Sequence, residues 1–298
     1  MYLESLVIFV CINMIAVGGL ALLTGYTGIF SCGHAGFMSI GAYASVVLFR
    51  HLGVPYVFAI LLGGVAAMLI GLLIGYPALR NRMEGDAFAI CMIGFTAVVR
   101  VVLSNTKTLI NGALGISGIP KHSSMWAVLG FTVVLLYLLH NYIRSDYGKN
   151  CIAIAQQEPA AEMVGINVLK TKVTSLAISA FYGGVAGGLY AFFATFLSPS
   201  TFAEAKSDDL LAAVVLGGIC SDIDPFADDA AAVLIVIPEV LRFLALWRLV
   251  FYGLAFVLIM QFKPEGLMGY REFDFSWVGK LYKKIRGKTD ESNAAAKN

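Results

Sequence analysis

Residue patterns that could do covalent chemistry are almost absent from this chain of 298 residues. No complete G-x-x-x-x-G-K-[ST], G-x-S-x-G or H-E-x-x-H pattern occurs in it. Gly287, Lys288 and Thr289 imitate the end of the first pattern, but Tyr282 stands where its leading glycine belongs. His34 follows a cysteine at a spacing that seldom binds metal without further ligands. The sequence therefore predicts no enzyme, and neither a cofactor nor a metal bound by this chain.

A polar stretch at residues 144–172 lies between long apolar runs and contains QEPAAEMVGIN. Glu158 and Pro159 form a typical helix start, AAEMV is a short helix-forming run, and Gly165 can end that helix in a left-handed conformation. Isolated helices this short are marginal in water without packing. We therefore interpret the stretch as a surface helix that another protein contacts. A solvated loop with an incidental helix is the alternative.

Glycines crowd a second segment, GYTGIFSCGHAGFMSIGAY, which ends one apolar run and begins the next. Inside a membrane such a segment can unwind only where protein or water satisfies its backbone. An unwound helix start presents N–H groups and a positive dipole end, which suit the carboxylate of a zwitterionic substrate. A tight turn between two helices is the alternative, and both remain open at this point.

Acidic residues cluster in GGICSDIDPFADDAA, near the C-terminal third of the chain. A carboxylate at the centre of a bilayer costs about 2.5 to 3.5 kcal/mol, so four of them facing lipid would be strongly unfavourable. We interpret the segment as a solvated turn, with a cation or proton site and a locally altered sequence as the alternatives. The residues concerned are Cys220, Asp222, Asp224, Asp228 and Asp229.

The composition places the chain among membrane proteins: 59% of its residues are hydrophobic and 13% are charged, against about 25% charged in soluble domains. A membrane core about 30 Å thick needs roughly 20 apolar residues in a helix. The predicted fold class is all-α, a polytopic integral membrane protein with eight or nine transmembrane helices. A piece at 210–219 is too short to cross and is interpreted as half of a broken helix. Full spans are predicted at 6–23, 33–49, 56–79, 87–103, 125–142, 173–197, 230–246 and 249–262.

The distribution of Lys and Arg predicts which loops face the cytoplasm. The positive loops are 80–82 and 144–172, together with the tail after residue 262, whereas 104–124 and 198–209 are expected to face outward. The N-terminus is then outside, and the first span, which lacks a positive flank, is expected to remain as an anchor. We divide the chain into a transmembrane domain, 1–270, and a charged cytoplasmic tail, 271–298. The positive excess indicates contact with membrane lipid and not with nucleic acid.

The glycine-rich segment at 25–43 resembles the N-terminal signature of branched-chain amino acid ABC transporter permeases, the LivM and LivH family. Five later segments are similar to later parts of that family, in the same order, so the similarity covers most of 20–270. These segments are GDAFAICMIGFTAVVR, TLINGALGISGIP, the stretch at 156–191, IPEVLRF and FKPEGLMG. The resemblance implies an ABC importer permease fold in the bacterial cytoplasmic (inner) membrane. It implies as partners a second related permease subunit, two cytoplasmic ATPase subunits that bind ATP and Mg²⁺, and an external substrate-binding protein.

The resemblance also implies a role for the polar stretch at 144–172, as the cytoplasmic coupling loop through which ATPase closure drives alternating access. An external binding protein selects the substrate in such importers, which is why this chain says little about specificity. The residues matching the ATPase contact are Glu158, Ala161, Glu162 and Gly165.

For the translocation path we select small and polar residues of the glycine-rich segment and of a loop that resembles the family's glycine-rich loop after the fourth span. Two positions depart from the family pattern, since Thr96 and Ala97 stand where Gly and Glu are usual before Arg100. Without an acid one turn earlier, we expect Arg100 to extend to the membrane interface. The selected path residues are Ser31, Gly33, His34, Ser39, Asn111, Gly112 and Gly115.

Two alternative functions remain open. Closely similar permeases move urea or short amides, so the architecture could serve another cargo. An ion-coupled secondary carrier is the alternative from a different class, with Asp222, Asp224, Asp228 and Asp229 as its ion site.

Overall fold

The computed structural model describes residues 2–81, 83, 85–120 and 123–217. Helices make up nearly all of this part. Two strands of two residues each, β1 (Ile116–Ser117) and β2 (Phe196–Leu197), pair with one another. The helices in chain order are α1 (Tyr2–Ala21), α2 (His34–Leu52), α3 (Tyr56–Arg80), α4 (Asp86–Asn105), α5 (Lys107–Ile110), α6 (Met125–Arg144), α7 (Asp146–Gln156), α8 (Glu158–Met163), α9 (Val168–Ala194) and α10 (Glu204–Gly217).

Six helices in the described ranges are long and apolar enough to cross a membrane, namely α1 with the turn that extends it, α2, α3, α4, α6 and α9. They coincide with six of the eight predicted full spans and confirm an all-helical, polytopic membrane protein. The shortest of the six, α2, has 19 residues and is therefore about 28 Å long. The other two predicted spans, 230–246 and 249–262, lie outside the described residues.

Apolar side chains cover the outward faces of three of these helices. Leu73 on α3 is 74% exposed, Ile90 on α4 is 69% exposed, and Val134 on α6 is 57% exposed. Exposed apolar surface on this scale is typical of a protein that meets lipid or another membrane subunit. The composition and the surface therefore agree on a membrane environment.

Helix α9 is the centre of the bundle. In its most apolar stretch 78% of residues are buried, against 28% for both α4 and α6, so α9 is surrounded by protein and the other two are peripheral. Glycines allow this, because a Cβ on Gly41 of α2 would overlap the backbone of Gly184, and one on Gly187 would overlap that of Met38. Small residues that let backbones approach closely are typical of helix contacts in membranes. Three glycines of α3 pack against side chains of α9: Gly64, Gly71 and Gly75.

The second membrane crossing is interrupted. After α1 the chain makes one π-helical turn, Leu22–Tyr26, and residues 27–33 are not helical. We name residues 27–33 the connector. At its start Gly28 lies against Ala155 of α7, and just beyond its end His34 contacts Ser179, which is about 16 Å along α9 from the first residue of that helix. The connector thus crosses about half of the bundle as irregular chain, and α2 begins inside.

Protein groups satisfy part of the polar backbone of this irregular chain, as a membrane interior requires. Ile29 N donates to Leu23 O at 3.1 Å, and Thr27 Oγ1 donates to Leu22 O at 2.9 Å. These contacts favour the unwound interpretation of the glycine-rich segment over a tight turn between two complete helices.

Helix α10 also begins inside the bundle, but the chain reaches it from the opposite end. After α9 the chain pairs β2 with β1, forms a 3₁₀ turn at Pro199–Phe202, and starts α10 at Glu204. Ser207 Oγ then accepts a hydrogen bond of 2.9 Å from Ala35 N of α2. This corrects two expectations, since 198–209 is not wholly an outward loop and the predicted short helix at 210–219 starts six residues earlier.

The two interruptions form an inverted pair. Helices α1 and α9 run antiparallel, with Phe9 beside Tyr190 and Gly19 beside Tyr182. Each is followed by irregular chain and by a helix that starts within the bundle, and the first turns of α2 and α10 meet. Such an arrangement of inverted units with discontinuous helices is typical of membrane transporters. The sequence shows no legible repeat at these positions.

The loops separate into two ends of the bundle. Arg80, at the end of α3, lines one hollow together with Glu158 of α8 and Lys172 of α9. At the other end Tyr56 OH lies 3.2 Å from Ser123 Oγ, near the β1–β2 pair. Arg80 and the positive stretch 144–172 therefore share one end, as the charge bias predicts, while Arg82 and the positive tail after 262 lie outside the described residues.

Replacing Gly187 by alanine should destabilise the bundle, because the new methyl group would push α9 from the backbone of α2 at Met38. Overpacking of this kind costs about 1 to 3 kcal/mol. The matched control is Gly130→Ala on α6, where nothing lies within 4 Å and alanine is the better helix former. Thermal unfolding in detergent should show a lower Tm for Gly187→Ala and an equal or higher one for Gly130→Ala. Equal Tm values for both variants would contradict this packing.

Candidate functional site

The polar stretch at 144–172 folds as two helices set at an angle by one extended residue, Gln157. The second helix, α8, has the predicted proline in its first turn, and Gly165 follows it with φ +90°. Ile166 N donates to Ala161 O, and Gly165 N donates to Glu162 O, so the free carbonyl groups at the helix end are satisfied. The predicted helix and its glycine terminator are both confirmed.

The six-residue helix α8 has a buried side and an exposed side. Ala161 is 4% exposed and packs against Ile154 of α7 and Val168 of α9. Two apolar residues that the sequence reasoning did not select, Met163 and Val164, are 89% and 83% exposed. Ala161 therefore positions α8 and does not lie on the surface that a partner could touch, whereas Met163 and Val164 do. Their only sequence signal is a pair of apolar residues inside a polar loop.

The remaining selected residues of α8 differ in their surroundings. Glu162 and Gly165 are exposed. Glu158 is half-buried because its Oε2 accepts a 2.5 Å hydrogen bond from Lys172 Nζ in the first turns of α9. The Lys172 side chain is 9% exposed. In the sequence Lys172 stands out only as a positive charge near a span, so its contact with Glu158 could not be predicted from it.

Hollows flank the ion pair. One cavity of about 280 Å³ lies between α7, α8 and the connector, and a second of about 160 Å³ lies towards the end of α3. Both are lined by Leu79, Met83, Glu158 and Lys172. The larger one reaches the connector at Gly28. A Cβ at this position would lie only 3.3 Å from Ala155 Cα, so the two backbones are in close contact. The polar stretch at one end thus touches the interrupted crossing directly.

Inside the bundle, His34 belongs to a chain of hydrogen bonds. Ser179 Oγ donates to Gly19 O at 2.6 Å, so it accepts the 2.7 Å bond from Nε2–H of His34. The neutral imidazole then carries its proton on Nε2, and its Nδ1 has no partner among the described residues. This network ties the first turn of α2 to α1 and α9, so His34 is a buried structural contact in this conformation.

The other path residues near His34 are also buried. Ser31 Oγ accepts a 3.4 Å bond from Gly33 N, and Ser39 is 3% exposed. The connector and the start of α2 therefore carry four path residues that are all buried in this conformation: Ser31, Gly33, His34 and Ser39.

The three remaining path residues occupy a different place. Asn111, Gly112 and Gly115 have φ of 57°, 59° and 76° and form the turn between α5 and β1. Gly112 lies against Ser104 O and Gly115 against Leu197 O. The turn fixes the β1–β2 pair at the end opposite α8, and the structure does not bring it into contact with His34.

Helix α10 also brings charged groups to α1 and α4, which the sequence did not predict. Lys206 Nζ donates to Asn13 Oδ1 at 2.9 Å. Arg100 Nη2 lies 3.9 Å from Glu204 Oε1, so Arg100 has an acidic neighbour that the sequence did not predict, while its extension to the membrane interface stays a prediction. The acid comes from another helix because the first turn of α10 lies inside the bundle. The segment with Asp222, Asp224, Asp228 and Asp229 lies outside the described residues.

Membrane-length helices, an inverted pair of interrupted elements and an exposed helix at one end together define the membrane subunit of a transporter. The sequence profile of the branched-chain amino acid transport system permease components matches residues 1–260. The chain belongs to this family.

Individual relatives agree with the family match. The high-affinity branched-chain amino acid transport system permease protein LivM of Salmonella typhimurium is 32% identical over 285 residues, and that of Escherichia coli is 31% identical; the alignments cover 84% of this chain and 66% of each relative. A probable branched-chain amino acid transport permease protein LivH of Methanocaldococcus jannaschii is 26% identical, covering 74% of both chains. The chain spans about two thirds of the length of the two LivM proteins. No solved structure matches it significantly.

Replacing Ser179 by alanine should destabilise the protein, because it leaves His34 Nε2–H without its acceptor inside the bundle. An unsatisfied buried group of this kind costs about 1 to 3 kcal/mol. Ser45→Ala is the matched control: Ser45 is equally buried, but its hydroxyl bonds only Gly41 O one turn earlier in its own helix. Thermal unfolding in detergent should give a larger fall in Tm for Ser179→Ala than for Ser45→Ala, and the reverse order would refute the network.

Proposed function

We propose that the chain is a permease subunit of an ABC importer that admits branched-chain amino acids across the bacterial cytoplasmic membrane. The observation that carries this proposal is helix α8, which presents Met163 and Val164 to solvent at the positively charged end of the bundle. Exposed apolar side chains on a short, terminated helix suit a groove on a soluble partner. We assign that partner as the ATPase, which binds ATP and Mg²⁺ itself.

The remaining partners follow from the family. Relatives named as LivM and as LivH both resemble this chain, which supports a pair of related permeases in one transporter. Two ATPase subunits and an external substrate-binding protein complete the proposed assembly. The exposed apolar faces of α3, α4 and α6 would then be shared between lipid and the second permease.

The interrupted helices support the proposed path. Helix starts within a membrane protein present N–H groups and a positive dipole end, which favour a carboxylate. We propose that the first turn of α2, with Ser31, Gly33, His34 and Ser39, borders the path when the bundle opens, and that the turn at 111–115 shapes its outer end. In the conformation described above, Ser179 and Ser207 bind this helix start instead.

Cargo can be assigned by uptake into proteoliposomes that contain the complete transporter with its binding protein. Labelled leucine should accumulate when ATP is supplied, and labelled urea should not, because the named relatives carry branched-chain amino acids. Accumulation of urea in place of leucine would support the alternative cargo. Uptake that persists after removal of the ATPases would support an ion-coupled carrier and contradict the proposal.

Val164→Asp should abolish most ATP-driven uptake, since a charge in the centre of an apolar docking contact costs about 2 kcal/mol or more. Gly165→Asp should act in the same direction: nothing lies within 4 Å of it, but its φ of +90° strains any other residue. Leu114→Asp is the control for ATPase copurification alone, because Leu114 is equally exposed at 83% but lies at the opposite end. Copurification of the ATPase should be lost with Val164→Asp and kept with Leu114→Asp.

A further inference from the structure

We infer that the Lys172–Glu158 ion pair is a positioning contact that transmits movement of α8 to α9 and so to the interrupted crossing. The inference rests on the proposed docking of an ATPase on α8. It assigns to Lys172, which the sequence analysis uses only as a topology charge, a part in the coupling of ATP hydrolysis to transport.

The contacts of α8 show why the pair matters. Two of the contacts between α8 and its neighbours are Ala161, which packs on Ile154 and Val168, and Glu158, which binds Lys172. Cavities of about 280 and 160 Å³ lie beside the pair, so few other atoms fill the space between α8 and the bundle there. The ion pair is thus a principal connection at the N-terminal end of α8.

An ion pair and an apolar contact transmit different movements. Small apolar side chains resist compression, but they separate easily once water can enter, and hollows already adjoin them. A charge-assisted hydrogen bond between groups that are 9% and 27% exposed also resists separation, because parting them would leave a poorly hydrated charge. The pair therefore lets α8 pull α9 as well as push it.

The movement that α8 transmits to α9 can continue along one face of α9, which is the proposed route. Ser179 is seven residues, or two helical turns, from Lys172, so both lie on the same face about 10 Å apart along the axis. Ser179 binds His34, the first residue of α2, and Gly19 of α1. A displacement of the start of α9 thus acts on the contact that closes the interrupted crossing.

A second ion pair in the same polar stretch supplies a matched control. Lys149 Nζ lies 3.1 Å from Asp146 Oδ1 within α7, and their side chains are 70% and 92% exposed. Both of its members belong to one helix and face solvent, so this pair connects nothing across the bundle. Removing it changes the same type of charge without touching the proposed route.

The test uses the complete transporter in proteoliposomes and measures substrate taken up per ATP hydrolysed. Lys172→Met and Glu158→Gln should assemble with the ATPases and hydrolyse ATP, yet uptake per ATP should fall about tenfold, within the usual range of coupling between sites. Lys149→Met should match the wild type. Lys172→Arg, which keeps the cation and nearly the same length, should retain most of the coupling.

The outcomes separate the inference from the proposed function. Uptake per ATP in Lys172→Met equal to that in Lys149→Met would overturn the inference while leaving the importer intact. Should Lys172→Met fail to assemble, Glu158→Gln decides by the same ratio, and an unchanged ratio overturns the inference. A wild-type assembly that takes up substrate without any ATPase would instead refute the proposed function.

Discussion

Close approach of the α2 and α3 backbones to α9 is the constraint on which the rest of this bundle depends. Association of helices in lipid gains little from burying apolar surface, so contact must come from packing. Gly41 and Gly184 meet without side chains between them, and Gly187 meets Met38. This proximity brings Ser179 within hydrogen-bonding reach of His34, and it fixes where α2 can begin. A side chain at any of these glycines would separate α2 from the helix that holds its first turn.

The interrupted crossings have a second requirement, which is satisfaction of backbone groups away from water. Helix starts expose N–H groups that have no partner inside their own helix. The structure solves this by placing two starts together, so that a side chain of α10, Ser207, accepts from the backbone of α2 at Ala35. The same contact makes the two halves of the bundle dependent on one another, because neither start can move alone without losing a hydrogen bond.

Hydropathy and helix-end residues predicted much of this structure, for physical reasons that are local. Six spans follow from runs of apolar residues, and α8 follows from Pro159 and Gly165, which act on their own neighbours. The start of α10 could not be read in this way. Its first turns, EAKSDD, are polar, which predicts a loop. The groups that contact them lie far away in sequence, since Ala35 is 172 positions from Ser207 and Asn13 is 193 positions from Lys206.

Side-chain roles in the polar stretch show the same limit. Two adjacent alanines in α8 give no indication of which one faces the bundle, and the positions of Ile154 and Val168 make Ala161 the buried one. Lys172 and Lys170 look alike in sequence as positive charges near a span, yet Lys172 is buried against Glu158 and Lys170 is exposed. A two-residue difference is about 200° around a helix, so the two lysines occupy nearly opposite faces. The helical phase of α9 therefore determines which lysine is a contact of the bundle and which one stays at its surface.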